Sequence, residues 1–235
     1  MVSYEPSRVI TFLPEILSAL PLTLWVLVLT ILFGSLLGLF LAWSQLSGEK
    51  SLPSFARGYV FILRCTPPIV LIFLVFYGLP RFLEWWLGID VNGWSRSVFV
   101  ILAMTLLFAA SISEVFKSSY QALPKGQLEA GLSIGLTDYQ TFVRILLPQA
   151  FRIALPNITT AIINLLKDIA LAYTIGLVDL MGAGNLVISR NLGNYSLETY
   201  TAVAIIYWVL ALILAVGTPV SYTHLRAHET DQYLV

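Results

Sequence analysis

From Leu20 to Ser44 the chain carries no charged side chain, and a run of that length leaves few structural options. A helix needs ~20 mostly apolar residues to cross a hydrocarbon core of ~30 Å. Four further stretches qualify, roughly Gly58 to Leu79, Ser97 to Tyr120, Ala150 to Leu177 and Tyr200 to Gly217. Lipid supplies no hydrogen bonds to the backbone, so the prediction is an all-α integral membrane protein with about five transmembrane helices. Composition points the same way: 58% of the residues are hydrophobic, 11% are charged and mean hydropathy is +0.84, well outside soluble-domain averages.

The connections are polar. Leu46 to Arg57 reads as a short loop. Pro80 to Arg96 mixes Arg81, Glu84 and Asp90 with Trp85, Trp86 and Trp94, as expected for a loop at headgroup level. Gln121 to Gln149 is the longest connection, and Met181 to Glu198 is a loop rich in Gly and Asn. Ahead of the first span, Arg8 to Ala19 is predicted to form a short interfacial helix with Ile10, Leu13, Ile16 and Leu17 toward lipid. The resulting organisation is an extracytoplasmic N-terminal segment over 1–19, a transmembrane domain over 20–220 and an atypical tail over 221–235. No cleavable signal peptide is expected, because Glu5, Arg8, Pro14 and Glu15 interrupt the start.

Basic residues near span ends set orientation. Lys50, Arg57, Lys117, Lys125, Arg144 and Arg152 fall on one face, against Arg8, Arg81, Arg96 and Arg190 on the other. The excess places the long connection and the C-terminus in the cytoplasm and the N-terminus outside.

Several chemistries are excluded. A formal net charge of zero argues against nucleic acid as a partner, since phosphate neutralisation needs a basic surface. The single cysteine, Cys65, permits neither an intrachain disulfide nor a Cys-rich metal site. The tail from Ser221 to Val235 resembles translated sequencing-adapter read-through and is set aside from fold reasoning. Both histidines, His224 and His228, lie in it. No catalytic constellation or metal site is expected in the rest.

The long connection holds the strongest motif. Pro124 opens a helix, Gly135 makes a turn, and a second short helix covers Asp138 to Leu146. Lys125-Gly126-Gln127-Leu128-Glu129-Ala130-Gly131 lacks the order of a phosphate-binding P-loop. Leu128, Leu132 and Leu136 recur every four residues, a stripe that fits either a partner's groove or the surface of a leaflet.

The register Glu129-Ala130-Gly131, three residues, Gly135, nine residues, Ile145-Leu146-Leu147-Pro148 resembles the Glu-Ala-Ala motif of permease subunits of ABC importers. Pro124 to Gln127 and Pro148 to Arg152 are similar to the polar amino-acid uptake branch. So are Arg64-Cys65-Thr66-Pro67-Pro68, Tyr77-Gly78-Leu79-Pro80 and Leu166-Lys167-Asp168-Ile169-Ala170-Leu171, and the likeness runs from about Leu20 to Gly217. Val178 to Gly182 resembles cystine-type permeases. Gly131 departs from the second alanine, at up to ~1 kcal/mol in helix propensity. Ile169-Ala170 departs from Thr-Ser and removes hydroxyl contacts.

The resemblance implies a type I ABC importer permease fold with cytoplasmic coupling helices, in a bacterial cytoplasmic membrane. Glu129, Ala130, Gly131, Gly135, Ile145, Leu147 and Pro148 would grip ABC ATPase subunits. ATP and Mg would be bound by that partner ATPase, with no cofactor in this chain. A second permease subunit, an extracytoplasmic solute-binding protein and an amino-acid substrate complete the implied set. A secondary transporter or channel without an ATPase is the alternative, and the lack of a repeated half with matching broken helices disfavours it.

Ionisable groups at membrane depth usually face a bundle interior or a wet cavity. Arg64, Glu114, Lys167 and Asp168 are therefore candidates for a substrate pathway, together with Thr66 and Pro67, where Pro67-Pro68 interrupts the helical ladder mid-span. Structural readings stand beside these. Arg64 can snorkel to headgroups, Glu114 can pair with Lys117, and the proline pair can be a packing kink. Lys167 and Asp168 point about 100° apart on a helix, so each needs its own partner.

Overall fold

A computed structural model describes residues 4–47, 51–124 and 126–217, with Ser51 described by its backbone alone. The tail 221–235 lies outside the described residues, as do Lys50 and Lys125. The described residues form helices joined by short turns: α1 (Pro6–Leu17), α2 (Leu20–Leu46), α3 (Ser51–Cys65), α4 (Pro68–Leu87), α5 (Arg96–Gln121), α6 (Gly126–Ser133), α7 (Asp138–Ile175), α8 (Leu180–Arg190) and α9 (Ser196–Val216). Five of them, α2, α4, α5, α7 and α9, are long and apolar enough to span a membrane.

The centre is a seam of α2 on α5, with α7 against α5. Gly34 and Gly38 make the seam close. A Cβ on Gly34 would sit 2.7 Å from Phe108 Cδ1, and one on Gly38 would sit 2.2 Å from Ile112 Cγ2. Small residues four apart let helix backbones approach in this way. Val26, Val100, Met104, Ile112, Leu166 and Ile169 fill the core around the seam. Apolar side chains also face outward, among them Leu36, Phe40, Leu212 and Ile213, the inverse of a soluble surface and the expected one where acyl chains are the solvent.

The second span differs from its predicted bounds of Gly58 to Leu79. The helix breaks at Thr66-Pro67, where Pro67 is extended (φ −58°, ψ 136°), because a residue preceding proline is disfavoured in the α region. The spanning helix is α4. It runs through Pro80, Trp85 and Trp86 of the predicted loop before Gly88 closes it at φ 66°. A π-helical turn at Leu74–Gly78 precedes Leu79-Pro80, and another at Phe142–Leu146 precedes Leu147-Pro148. The common cause is proline, which cannot bond the carbonyl four residues back and crowds it. Widening the preceding turn keeps each helix continuous. For that reason the predicted short helix over Asp138 to Leu146 is the first part of α7, not a separate element.

Two other connections are more ordered than expected. Met181 to Glu198 contains α8, whose glycines serve packing: a Cβ on Gly184 would meet Val203 Cγ2 at 2.7 Å. The N-terminal segment forms α1, but Val9, Phe12 and Ile16 pack against α8 and α9. Ile16, expected toward lipid, is fully buried, whereas Ile10 and Leu17 remain exposed.

Candidate functional site

The residues with chemistry to offer gather in three places: the α6–α7 hairpin and two clefts against α5.

The hairpin is built from local rules. Gly135 has φ 86°, a left-handed conformation that favours glycine. Its N–H donates to the Leu132 carbonyl at 3.0 Å, and that of Leu136 donates to the Gly131 carbonyl at 3.2 Å, which together make a Schellman turn. Thr137 then starts α7 with a capping box, its hydroxyl accepting from the Gln140 N–H while the Gln140 side chain accepts from the Thr137 N–H. Gly131 is pressed against Thr141: a Cβ there would lie 2.4 Å from Thr141 Cγ2. The missing methyl is therefore what lets α6 fold back on α7. Gln127 and Gln149 exchange amide hydrogen bonds at 3.0 and 2.5 Å and tie the hairpin to the base of the span.

This arrangement brings the motif residues onto one small element with different exposures. Glu129 and Ala130 are exposed, and the Glu129 carboxylate has no partner among the described residues. Gly131 is buried, Ile145 is half-buried and its carbonyl accepts from Gln149, and Leu147 and Pro148 are exposed. Around them Leu132, Ile134, Tyr139, Phe142 and Val143 are exposed as well, Ile134 and Tyr139 by 75% each. Of the predicted leucine stripe, Leu132 is exposed while Leu128 and Leu136 are half-buried.

The first cleft, about 260 Å³, lies between α5 and α7. Asp168 lines it with Ser111, Asn157, Thr160 and Asn164. Asn157, Thr160 or Ala161, Asn164 and Asp168 follow a helical period along one face of α7. The Thr160 hydroxyl donates to the Pro156 carbonyl, but the amides of Asn157 and Asn164 have no partner among the described residues. The sequence reading missed this polar row, although its spacing inside an apolar span was the signal for it. Lys167 is exposed and lies outside the cleft.

The second cleft, about 420 Å³, is formed by α2, α3 and α5 and holds Gln45, Arg57, Arg64, Glu114 and Lys117. Lys117 donates to Gln45 at 2.8 Å and pairs with Glu114 at 3.2 Å. The structure thus separates Arg64 and Glu114 from Asp168. Thr66 and Pro67 line neither cleft: the Thr66 hydroxyl donates to the Ile62 carbonyl at 2.8 Å and finishes α3.

At the opposite end of the bundle from the hairpin, Asp179 is fully buried and caps α8. Its Oδ1 accepts from the Gly182 N–H at 2.9 Å and its Oδ2 from the Tyr207 hydroxyl at 3.5 Å. Burial pushes its carboxyl up to about 6, with the backbone hydrogen bond from Gly182 opposing. The Thr23 hydroxyl accepts from the Leu180 N–H at 3.1 Å and joins α2 to this node. The Val178–Gly182 segment therefore has a structural task.

Comparison with known proteins adds to the geometry. The family described as binding-protein-dependent transport system inner membrane component matches residues 34–220. The L-cystine transport system permease protein TcyL of Bacillus subtilis (strain 168) is 35% identical over 228 residues, covering 97% of this chain and 94% of its own. The arginine ABC transporter permease protein ArtQ of Haemophilus influenzae is 34% identical, covering 88% and 91%. A solved structure of an amino acid ABC transporter with histidines superposes with a TM-score of 0.78 at 27% identity, over 91% of this chain and 95% of that one.

Proposed function

Because the chain belongs to the family of binding-protein-dependent transport system inner membrane components, we propose that it is the permease of an importer that carries cystine or a closely related polar amino acid. The chain is a multi-pass membrane permease subunit of the amino-acid ABC type, a transporter and not a catalyst.

The observation that carries the proposal is the row of Ser111, Asn157, Asn164 and Asp168 facing one cleft at membrane depth. A carboxylate and two amides without hydrogen-bond partners among the described residues suit an ammonium and the polar atoms of an amino acid, and they are costly to keep in lipid otherwise. One copy encloses a cleft and not a path, so a second permease subunit is needed to close it. ATP and Mg belong to a partner ATPase, which would seat on Leu132, Ile134, Tyr139 and Glu129 of the hairpin. Substrate would arrive from a solute-binding protein on the α1 and α8 side. That side is extracytoplasmic by the excess of basic residues at the hairpin end, in the cytoplasmic membrane of a bacterium. Closure of the ATPases on ATP would then move the hairpin, and with it α7, to alternate access to the cleft.

The test is competitive uptake by proteoliposomes holding this chain, its ATPase and one fixed binding protein. Asp168→Asn should shift the order in which L-cystine, L-arginine and L-glutamate compete, and Lys167→Met should not. An unchanged competition profile for Asp168→Asn would remove the first cleft from the pathway.

A further inference from the structure

The second cleft has a charge balance that the proposed transport pathway does not use. One face of α3 lines it, with Arg57, Phe61 and Arg64 at i, i+4 and i+7. From α5 come Glu114 and Lys117, and from the end of α2 comes Gln45. Glu114 and Lys117 neutralise each other at 3.2 Å. Both guanidiniums are left without a counter-ion among the described residues. Arg57 spends only its Nε, on the Pro53 carbonyl at 3.0 Å, and Arg64 is exposed with no partner among the described residues.

The cleft also has a definite depth. Gln45 precedes the last residue of α2 by one, Lys117 lies in the last turns of α5, and Arg57 lies in the second turn of α3. All three helix ends are at the hairpin end of the bundle, so the cleft sits where a span meets the headgroup layer. Beside it the surface of α3 turns apolar: Phe55, Phe61 and Ile62 are exposed by 75%, 70% and 62%. Gly58, between them, has open space where a Cβ would be.

We propose that this cleft binds the phosphate of an anionic phospholipid from the leaflet on the hairpin side, with its acyl chains along Phe61 and Ile62. Guanidinium is the side chain suited to phosphate because its planar donors match two oxygens at once. Basic pockets between membrane helices at headgroup level take anionic lipids for this reason. A free amino acid offers a carboxylate to the same arginines but no chain long enough for the apolar flank. The lipid would brace α3 against α2 and α5 across the Thr66-Pro67 break.

Native mass spectrometry of the full chain in detergent, titrated with phosphatidylglycerol or phosphatidylcholine, tests this. Phosphatidylglycerol should be retained and phosphatidylcholine should not. Arg57→Gln and Arg64→Gln should each weaken retention about fivefold, and about twenty-five-fold together. Arg57→Lys with Arg64→Lys keeps the charge but loses the two-oxygen fork, so it should retain more than the double Gln variant and less than the unsubstituted chain. Glu114→Gln frees Lys117 and should tighten retention about fivefold, a gain that misfolding cannot produce. Equal retention of the two lipids, or of phosphatidylglycerol by the double Gln variant, would overturn the proposal. Displacement by millimolar inorganic phosphate would reduce the cleft to a free-anion site. Displacement by L-cystine or L-arginine would return it to the transport pathway. Asp168→Asn should leave lipid retention unchanged, which keeps this result separate from the fate of the first cleft.

Discussion

Where α1 meets α8 and α9, Glu198 is buried and accepts the Glu5 backbone N–H at 2.8 Å across 193 positions of sequence. Arg8 lies 4.8 Å from the Tyr195 ring centre, Arg190 pairs with Glu15, and Asp179 and Thr23 join three helices. In the hairpin at the other end, side-chain bonds among the described residues reach no further than from Gln127 to Gln149, and a turn, a cap and one close approach do the rest. The first end satisfies its polar groups by long-range contacts within the chain. The second leaves Ile134, Tyr139 and Glu129 exposed. Exposed apolar patches of that kind mark interaction sites, and with the ATPase docking proposed above the two ends should respond differently to substitution: the closed end in stability, the hairpin in coupling.

The sharpest break between the two would come from Gly135→Val. Nothing lies within 4 Å of a Cβ there, so the only obstacle is the left-handed backbone, which disfavours a side chain by about 1–2 kcal/mol, and more for a β-branched one. The turn should reorganise, ATP-dependent uptake should fall to background, and thermal stability of the purified chain should change little. Uptake assayed beside co-purification of the ATPase checks this. Normal uptake would mean that the turn plays no part in coupling.

At the closed end the largest effect should belong to Asp179. Its carboxyl is raised from 3.8 to about 6, so between those values the native state holds a proton that the unfolded state has lost. Stability should therefore fall as pH rises from about 4 to about 6 and then level off, by on the order of 3 kcal/mol. Asp179→Asn keeps an oxygen for the Gly182 N–H and cannot ionise. Its melting midpoint should lack that slope. Parallel curves for the two proteins would sink the assignment.

Gly131 tests whether the hairpin's geometry is one of space. Adding a methyl group should drive Thr141 out of place, at about 1–3 kcal/mol. The Thr141 hydroxyl is buried without a partner among the described residues, so trimming it forfeits no hydrogen bond. Gly131→Ala alone should speed hydrogen exchange over 126–141, and Gly131→Ala with Thr141→Ala should restore protection. Equal exchange in both would place the cause in helix propensity, which makes alanine the better residue.

These sites also mark what could be read from sequence and what could not. The hairpin was legible because its rules are local: Pro124 and Gly135 act within four residues of themselves, although the cap at Thr137 was not picked out. The spans were legible from apolar run length, but their bounds were not. Arg81 and Glu84 looked too polar for a helix, yet α4 carries both on exposed faces beyond a π turn that absorbs Pro80. Gly182 and Gly184 read as loop residues because their packing partners, Leu177 and Val203, are supplied by tertiary structure. Asp168 was singled out by charge, whereas its neighbours Asn157 and Asn164 carry none and escaped notice. Arg64 was grouped with Asp168 for the same reason, and only the fold separates them.

The smallest effect should come from the pair that looks most like a clamp. Arg190 and Glu15 join α8 to α1 across the closed end, but their side chains are 64% and 41% exposed. Water and salt screen such a pair, and holding two long side chains in one geometry offsets much of the attraction, so exposed pairs contribute about 0.2–1 kcal/mol. Arg190→Gln should shift the melting midpoint by no more than that, and 0.5 M salt should erase the difference by shortening the screening length to roughly 4–5 Å. The contribution of Glu198 should persist in the same salt, because its bond to Glu5 N is withdrawn from water. If Arg190→Gln instead costs as much as Glu198→Leu at high salt, the closed end is held by surface charge and the contrast with the hairpin rests on the wrong residues.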